Sequence, residues 1–180
     1  YLESVTWSFT DSKIDKQFSK EENEIKIINP ISSDLDVLRR SIFSNLAIHL
    51  KKNQDRGYED VSLFEIGPVF FGKNPGEQQI VVGALKSGKV GRKSWIEKER
   101  NIDVFDIKGD AVKTLIELGI SNQDLFISDI TKHCYHPGRS GSITYKSEKG
   151  PHLAYFGEIH PAIIKKLDFK EPNIYGLEIF

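Results

Sequence analysis

Two stretches of sequence decide the fold: residues 29–41, NPISSDLDVLRRS, and residues 63–70, LFEIGPVF. The first opens with an Asn-Pro pair, which ends a strand because proline lacks an N–H donor and fixes φ. Its arginines, Arg39 and Arg40, stand directly before Ser41. Serine is a good N-cap, and apolar residues follow at helical spacing, so we predict a helix after Ser41.

The second stretch lies in the most apolar run of the chain, residues 61–71, in which Glu65 is the one charged residue. This run predicts a buried central strand. Glycine, asparagine and proline dominate residues 72–76, and residues 80–85 are again apolar. We therefore predict a hairpin of two long strands.

The remaining elements extend this pattern to an α+β fold, a mainly antiparallel sheet flanked by helices. Residues 5–9 alternate apolar and polar side chains, which predicts a strand with one solvent-exposed face. Residues 10–24 show no period, and we predict an irregular surface segment there. We expect further strands at residues 25–28, 104–107, 125–127, 142–146, 153–159 and 175–180, a long turn at residues 133–141, and helices at residues 109–118 and 161–167.

Composition limits the classes of function. With 25 basic and 26 acidic residues the net charge is -1, so the chain has no general attraction to polyanions. The one cysteine, Cys134, forms no internal disulfide, which favours a cytoplasmic protein. No apolar run approaches the roughly 18 residues of a membrane span. From its first residue, Tyr1, and its apolar end, we expect residues 1–180 to be a single domain excised from a larger chain.

Several residues could bind phosphate. Gly83, Gly88 and Lys89 nearly match a phosphate-binding loop, but Val90 stands where Ser or Thr would hold Mg²⁺. The basic stretch, residues 86–100, could instead contact tRNA, since cations and an aromatic ring suit phosphates and bases. Its candidate contacts are Lys86, Lys89, Arg92 and Lys93, beside Trp95.

Paired arginines can also hold a phosphate or a carboxylate through bidentate bonds, so Arg39 and Arg40 have two readings. They either bind an anion or form a structural ion pair with Glu65 or with a neighbouring subunit.

Other clusters favour structural roles. His133, Cys134 and His136 are too few and too close together for a zinc site. The run from His136 to Arg139 is more typical of a fixed turn. Three acids, Asp103, Asp106 and Asp110, lie within residues 103–110. Acids are favoured in the first turn of a helix, so a structural role explains them as well as catalysis does.

Five motifs together resemble the β subunit of bacterial phenylalanyl-tRNA synthetase. Two are the stretches quoted above; the others are FDIKGD at residues 105–110, HPGRS at 136–140 and GEIHP at 157–161. The resemblance implies the synthetase-like core of that subunit, with the fold of a class II aminoacyl-tRNA synthetase catalytic domain. It further implies a heterotetramer in which the α subunit activates phenylalanine with ATP and Mg²⁺ and charges tRNA(Phe).

The resemblance also implies that this module is a non-catalytic copy. A catalytic class II core has a Phe-Arg pair on its second-motif strand, and the corresponding strand here has Phe64 and Glu65. A carboxylate there would repel a triphosphate. The last strand, residues 175–180, has one glycine and no arginine of the third motif. We therefore expect no catalytic, cofactor-binding or metal-binding residue in this chain.

Three functions stay open from the sequence. The first is a non-catalytic interface domain that supports the α subunit, with Arg39, Arg40, Glu65, His136 and Arg139 in structural or interface roles. The second is an active ATP-binding, adenylate-forming domain of class II type. The third is a tRNA-contacting module that uses the basic stretch.

Overall fold

A computed structural model describes residues 1–20, 24–90, 95 and 99–180. Within these residues the chain forms nine strands, four α-helices and one short 3-10 helix (Asn122–Asp124). The strands are β1 (Leu2–Glu3), β2 (Phe9–Thr10), β3 (Val37–Leu38), β4 (Val61–Phe70), β5 (Gln78–Ser87), β6 (Leu125–Ser128), β7 (Tyr135–Tyr145), β8 (His152–Ile159) and β9 (Ile174–Ile179). The helices are α1 (Ser12–Phe18), α2 (Phe43–Asp55), α3 (Val104–Glu117) and α4 (Pro161–Lys166).

Seven strands form one sheet in the order β1-β4-β5-β9-β8-β7-β6, and β2 pairs with β3 apart from it. All the neighbours in the large sheet are antiparallel except β1 and β4. The α+β class and the mainly antiparallel sheet are therefore confirmed.

The β4–β5 hairpin is the longest regular pairing, from Val61 opposite Ser87 to Phe70 opposite Gln78. However, β4 is not central, because its other neighbour, β1, pairs only with Leu63 and Phe64. The carbonyl of Phe64 accepts from the N–H of Ser4 on that outer side, and the backbone groups of every second residue from Phe64 point to the same side. Pro68 therefore turns its missing donor toward the sheet edge, where proline is tolerated.

Each face of the sheet has its own core. Phe43, Leu46 and Leu50 of α2 pack against the face that carries Leu63 and Leu85. On the opposite face the buried side chains of α3 pack against Ala84, Leu177, Ala154 and Phe156; they are Ile107, Ala111 and Leu115. Side chains of β4 and β5 consequently alternate between the α2 side and the α3 side.

Four more local predictions are wrong. Residues 104–107 belong to α3, because Asp103 and Asp106 form a capping box that starts the helix there. Residues 10–24 contain α1, which Asp11 caps. Residues 25–28 make only an isolated bridge from Lys26 to Val37. Residues 133–141 are mostly strand, because β7 reaches Tyr135 across a register shift.

Candidate functional site

A buried ion pair joins the two stretches that decide the fold. Arg39 follows β3, and its Nη1 lies 2.6 Å from Oε1 of Glu65 on β4, with the side chains 1% and 5% exposed. The Arg39 Nε donates to the carbonyl of Pro68 at 2.8 Å. Gly67 leaves room for the guanidinium, since a Cβ there would lie 2.3 Å from Arg39 Nη2. The charge of Arg39 is thus satisfied inside the protein.

The burial of Glu65 corrects one inference from the sequence. Its carboxylate is 4% exposed and accepts from Thr6 Oγ1 at 2.8 Å as well as from Arg39. It therefore faces α2 and the chain interior, where its charge is neutralised. Glu65 is therefore not placed to repel a triphosphate, contrary to the inference from the sequence.

Polar contacts also fix residues 4–8, which we call the strap. Thr6 accepts from Arg39 Nη1 at 2.9 Å. Beyond that bond, the strap is held by contacts from β4, from α2 and from Arg39: Ser4 N to Phe64 O (2.7 Å), Ser4 Oγ with His49 Nδ1 (2.7 Å), Asn45 Nδ2 to Trp7 O (2.7 Å) and Arg39 N to Ser8 O (2.9 Å). Burial lowers the pKa of His49, which favours the neutral form of that imidazole. The strap is therefore rigidly placed although most of it is not in the sheet ladder.

This placement turns the apolar side chains of the strap outward. Thr6 points to Glu65, so Val5 and Trp7 point to the opposite side, that of Ile66. Their exposed fractions are 84% for Val5, 62% for Trp7, 57% for Ile66 and 59% for Ile80. Ile80 lies opposite Pro68 on β5 and so shares the side of Ile66. We call these four residues the apolar face.

The apolar face reverses a prediction. Alternation in residues 5–9 predicted a strand with its polar side in water, but the polar side is the inner one. Only Phe9–Thr10 form a strand there, paired with β3. An exposed apolar cluster that includes a tryptophan is typical of a protein–protein interface.

Arg40 is also internal. It is 8% exposed, and its backbone N–H donates to Oδ1 of Asp15 at 3.2 Å. Ser44 donates to the same oxygen at 2.7 Å. Burial raises the pKa of Asp15, and these hydrogen bonds oppose the rise. Arg40 therefore belongs to the packing between α1 and the start of α2.

His136 and Arg139 lie on β7, four places from β4 in the sheet order. Arg139 binds Glu158 of β8 through Nε at 2.5 Å and Nη2 at 2.8 Å, and this bond raises the pKa of the arginine. His136 Nδ1 accepts from the N–H of Gly138 at 3.0 Å, which fixes the local turn. The structure does not bring these residues to the Arg39–Glu65 pair.

The described lysines of the basic stretch are in ion pairs. Lys86 Nζ lies 3.2 Å from Oδ2 of Asp110, an oxygen that also accepts from the hydroxyl of Tyr1. Lys89 lies 2.8 Å from Glu99, a bond that raises the pKa of the lysine. A phosphate would have to displace these carboxylates. Arg92 and Lys93 lie outside the described residues.

The other candidates have structural surroundings. A Cβ on Gly83 would lie 2.1 Å from Ile42, so this glycine serves packing under α2. Burial raises the pKa of the Cys134 thiol, which favours its protonated form. Across the described ranges, 1–20, 24–90, 95 and 99–180, no group of three or more His, Cys, Asp or Glu side chains could hold a metal ion.

One ion pair of a buried acid was not predicted. Glu178 on β9 is 4% exposed, and Lys132 Nζ lies 2.7 Å from its Oε2. The same ammonium lies 4.8 Å from the ring centroid of Tyr155 and 4.5 Å from that of Phe180. The one signal in the sequence was a lone acid in an otherwise apolar strand.

Comparison with solved structures defines the class of fold. Two structures of pyrrolysyl-tRNA synthetase from Desulfitobacterium hafniense each match 99% of this chain with a TM-score of 0.67, at 14% and 13% identity. The match covers 59% and 60% of those chains. The fold is that of a class II aminoacyl-tRNA synthetase.

Sequence comparison then defines the family. Residues 1–180 match the family described as "Phenylalanyl tRNA synthetase beta chain CLM domain", and the chain belongs to that family. Curated relatives named phenylalanine–tRNA ligase β subunit are 41% identical in Rhodospirillum rubrum, 38% in Paramagnetospirillum magneticum and 31% in Ehrlichia ruminantium. Each match covers 99% of this chain but 22% of the relative's length. The resemblance drawn from the five motifs is thus confirmed.

Among the described residues, no helix is long and apolar enough to cross a membrane.

Proposed function

We propose that this domain is a non-catalytic interface module of a cytoplasmic phenylalanine–tRNA ligase. In this proposal it belongs to the β subunit of a heterotetramer and supports a catalytic α subunit that attaches phenylalanine to tRNA(Phe). ATP and Mg²⁺ are used by the α subunit, and this domain holds no cofactor.

One observation carries the proposal: the edge of the sheet formed by the strap and the β4–β5 hairpin turns apolar side chains outward and charged ones inward. Arg39 and Glu65 neutralise each other under α2, whereas Trp7 and Ile66 are exposed on the opposite side. Phosphate groups need fixed cations or N–H donors, which apolar side chains do not supply. The arrangement therefore suits a protein partner better than a nucleotide.

The α subunit is the partner that the family favours, because relatives of this chain are named β subunits. Interfaces are commonly anchored by tryptophan near the centre of an apolar patch. Trp7 fits this role because the hydrogen bonds of the strap hold its backbone in place before a partner arrives. Such pre-organisation lowers the entropic cost of binding.

Calorimetric titration of the chain with ATP and Mg²⁺ tests whether the module is non-catalytic. We expect no heat of binding, while the same titration of a complex with the α subunit gives a saturable signal. Micromolar binding to the chain alone would contradict the proposal and favour an adenylate-forming domain.

A further inference from the structure

The outer edge of β6 is open to a further strand. β6 ends the strand order of the large sheet, where it pairs with β7. The carbonyl of Asp124 accepts from the N–H of Lys146 at 2.7 Å, so every second residue from Asp124 bonds to β7. The backbone groups of Leu125 and Ile127 therefore point away from β7, toward the edge.

Three of these outward groups are available to a partner. The N–H of Leu125 donates to the carbonyl of Asn122 and is already used. The carbonyl of Leu125 and both backbone groups of Ile127 have no hydrogen-bond partner in the part of the chain that the structure describes. An incoming strand pairs with such a row of donors and acceptors.

Apolar side chains stand on both faces of this edge. Phe126 is 43% exposed and Ile127 is 48% exposed, and consecutive residues of a strand point to opposite faces. Ile130, just past the strand, is 49% exposed. A partner strand would therefore bury apolar surface on each face of the sheet and form backbone bonds as well.

Two acids mark the ends of the edge. Asp124 precedes β6 and Asp129 follows it. Across residues 1–20, 24–90, 95 and 99–180, neither carboxylate has a cation within 4.0 Å. Both acids can therefore accept a cation from a partner.

The nearby cations leave the edge negative. Lys132 is already bound to a buried carboxylate at 2.7 Å. Lys146 lies opposite Asp124 in the ladder, and its Nζ is 4.9 Å from the centroid of the preceding tyrosine ring. In the turn between β7 and β8, Glu148 and Lys149 offset each other. Lys146 thus offsets charge at one end of the edge, and the uncompensated charge lies at Asp129.

We propose that β6 binds an extended segment of a protein outside the synthetase, which adds a strand to the sheet. The segment has alternating apolar side chains that cover Phe126 and Ile127, and a Lys or Arg beside Asp129. A nucleic acid is disfavoured because the acids repel phosphate. A second copy of this chain is disfavoured because pairing about Ile127 would set Asp129 of each copy next to Asp124 of the other.

The size and charge of the site favour a separate protein that binds reversibly. β6 has four residues and charged ends, whereas permanent interfaces between subunits are larger and more apolar. The apolar face, which we assign to the α subunit, lies at the other end of the strand order. Failure of one surface therefore leaves the other testable.

Hydrogen exchange at single-residue resolution tests whether the edge is open. It compares the full-length β subunit alone with its complex with the α subunit. We expect the amide of Ile127 to exchange at the same rate in both samples, at least about tenfold faster than that of Phe126, which bonds to β7. Protection of Ile127 in either sample would show that the synthetase itself covers the edge, and would overturn the proposal.

Synthetic peptides added to the complex then test the chemistry of the partner. The probe has alternating valine and threonine between terminal lysines; one control has terminal glutamates, and another has interior prolines. By fluorescence anisotropy, we expect the lysine peptide to bind at least about fivefold more tightly than the glutamate peptide. It should also slow exchange at Ile127. The proline peptide has the same charges but lacks ladder donors, and it should not bind.

A matched pair of exposed acids completes the test. Asp129→Asn should lower the affinity for the lysine peptide about threefold. Glu3→Gln removes an exposed acid from β1, at the opposite edge of the sheet, and should leave the affinity unchanged. The proposal is overturned if the lysine peptide does not bind, if it binds no better than the proline peptide, or if Asp129→Asn has no effect.

Discussion

Removing the acid of the buried Arg39–Glu65 pair is expected to be the most damaging single change at that pair. In the variant Glu65→Leu, the guanidinium of Arg39, 1% exposed, keeps only the neutral oxygens of Thr6 and Pro68 as partners. Breaking a buried pair by removing one partner costs about 3–5 kcal/mol, because a charge is left uncompensated. With a denaturant slope of about 2 kcal/mol per M, the urea midpoint should fall by about 1.5–2.5 M.

The double variant Arg39→Met with Glu65→Leu provides the control. Replacing both charges by apolar groups removes the stranded cation, so we expect it to be at least about 2 kcal/mol more stable than Glu65→Leu alone. Urea unfolding of the three proteins, followed by circular dichroism, measures the difference. The reasoning fails if Glu65→Leu unfolds at the midpoint of the unmodified chain, or if the double variant is the least stable of the three.

Three further predictions concern stability and binding. Gly67→Ala should cost about 1–3 kcal/mol because its Cβ would lie 2.3 Å from Arg39, while Gly109→Ala, on an open side of α3, should gain about 0.5–1 kcal/mol; thermal unfolding compares them. Burial lowers the pKa of His49, so the stability it supports is present above about pH 6.5 and is lost as pH falls below it. Urea midpoints between pH 7.5 and 5 should show this loss, and the loss should be smaller in His49→Gln. An equal loss in both proteins would refute the prediction. Lys89→Ala, which removes a lysine already paired with Glu99, should leave tRNA retention in gel shifts at moderate salt unchanged, and a clear loss would favour the tRNA-contacting function.

The β4–β5 hairpin could be predicted from the sequence because its signals are local. Two apolar runs flank a segment of glycine, asparagine and proline, and the ten-residue ladder follows from them. The start of α3 could not be predicted in the same way. Residues 104–107 are apolar apart from Asp106 and suit a short strand, but the reciprocal bonds of Asp103 and Asp106 favour a helix at that point. A capping box spans only four residues and is easily read as an acid cluster.

The candidate site was only partly predictable. The sequence offered Glu65 as one possible partner of Arg39, and the structure pairs them. The orientation of the strap could not be deduced, because alternation shows that two sides differ but not which side is buried. Here Thr6 points inward because its hydroxyl donates to the buried Glu65, and Trp7 is consequently exposed. Such a preference depends on contacts 59 residues away in sequence.

The most direct test of the proposed function is recovery of the α subunit by the full-length β subunit in co-purification. Truncating an anchoring tryptophan typically costs about 2 kcal/mol or more, about 30-fold in affinity. We predict that Trp7→Ser loses most of the α subunit. Trp95→Ser, which changes a tryptophan that is 94% exposed outside the apolar face, should recover as much as the unmodified protein. Full recovery by Trp7→Ser would contradict the assignment of the apolar face as the interface.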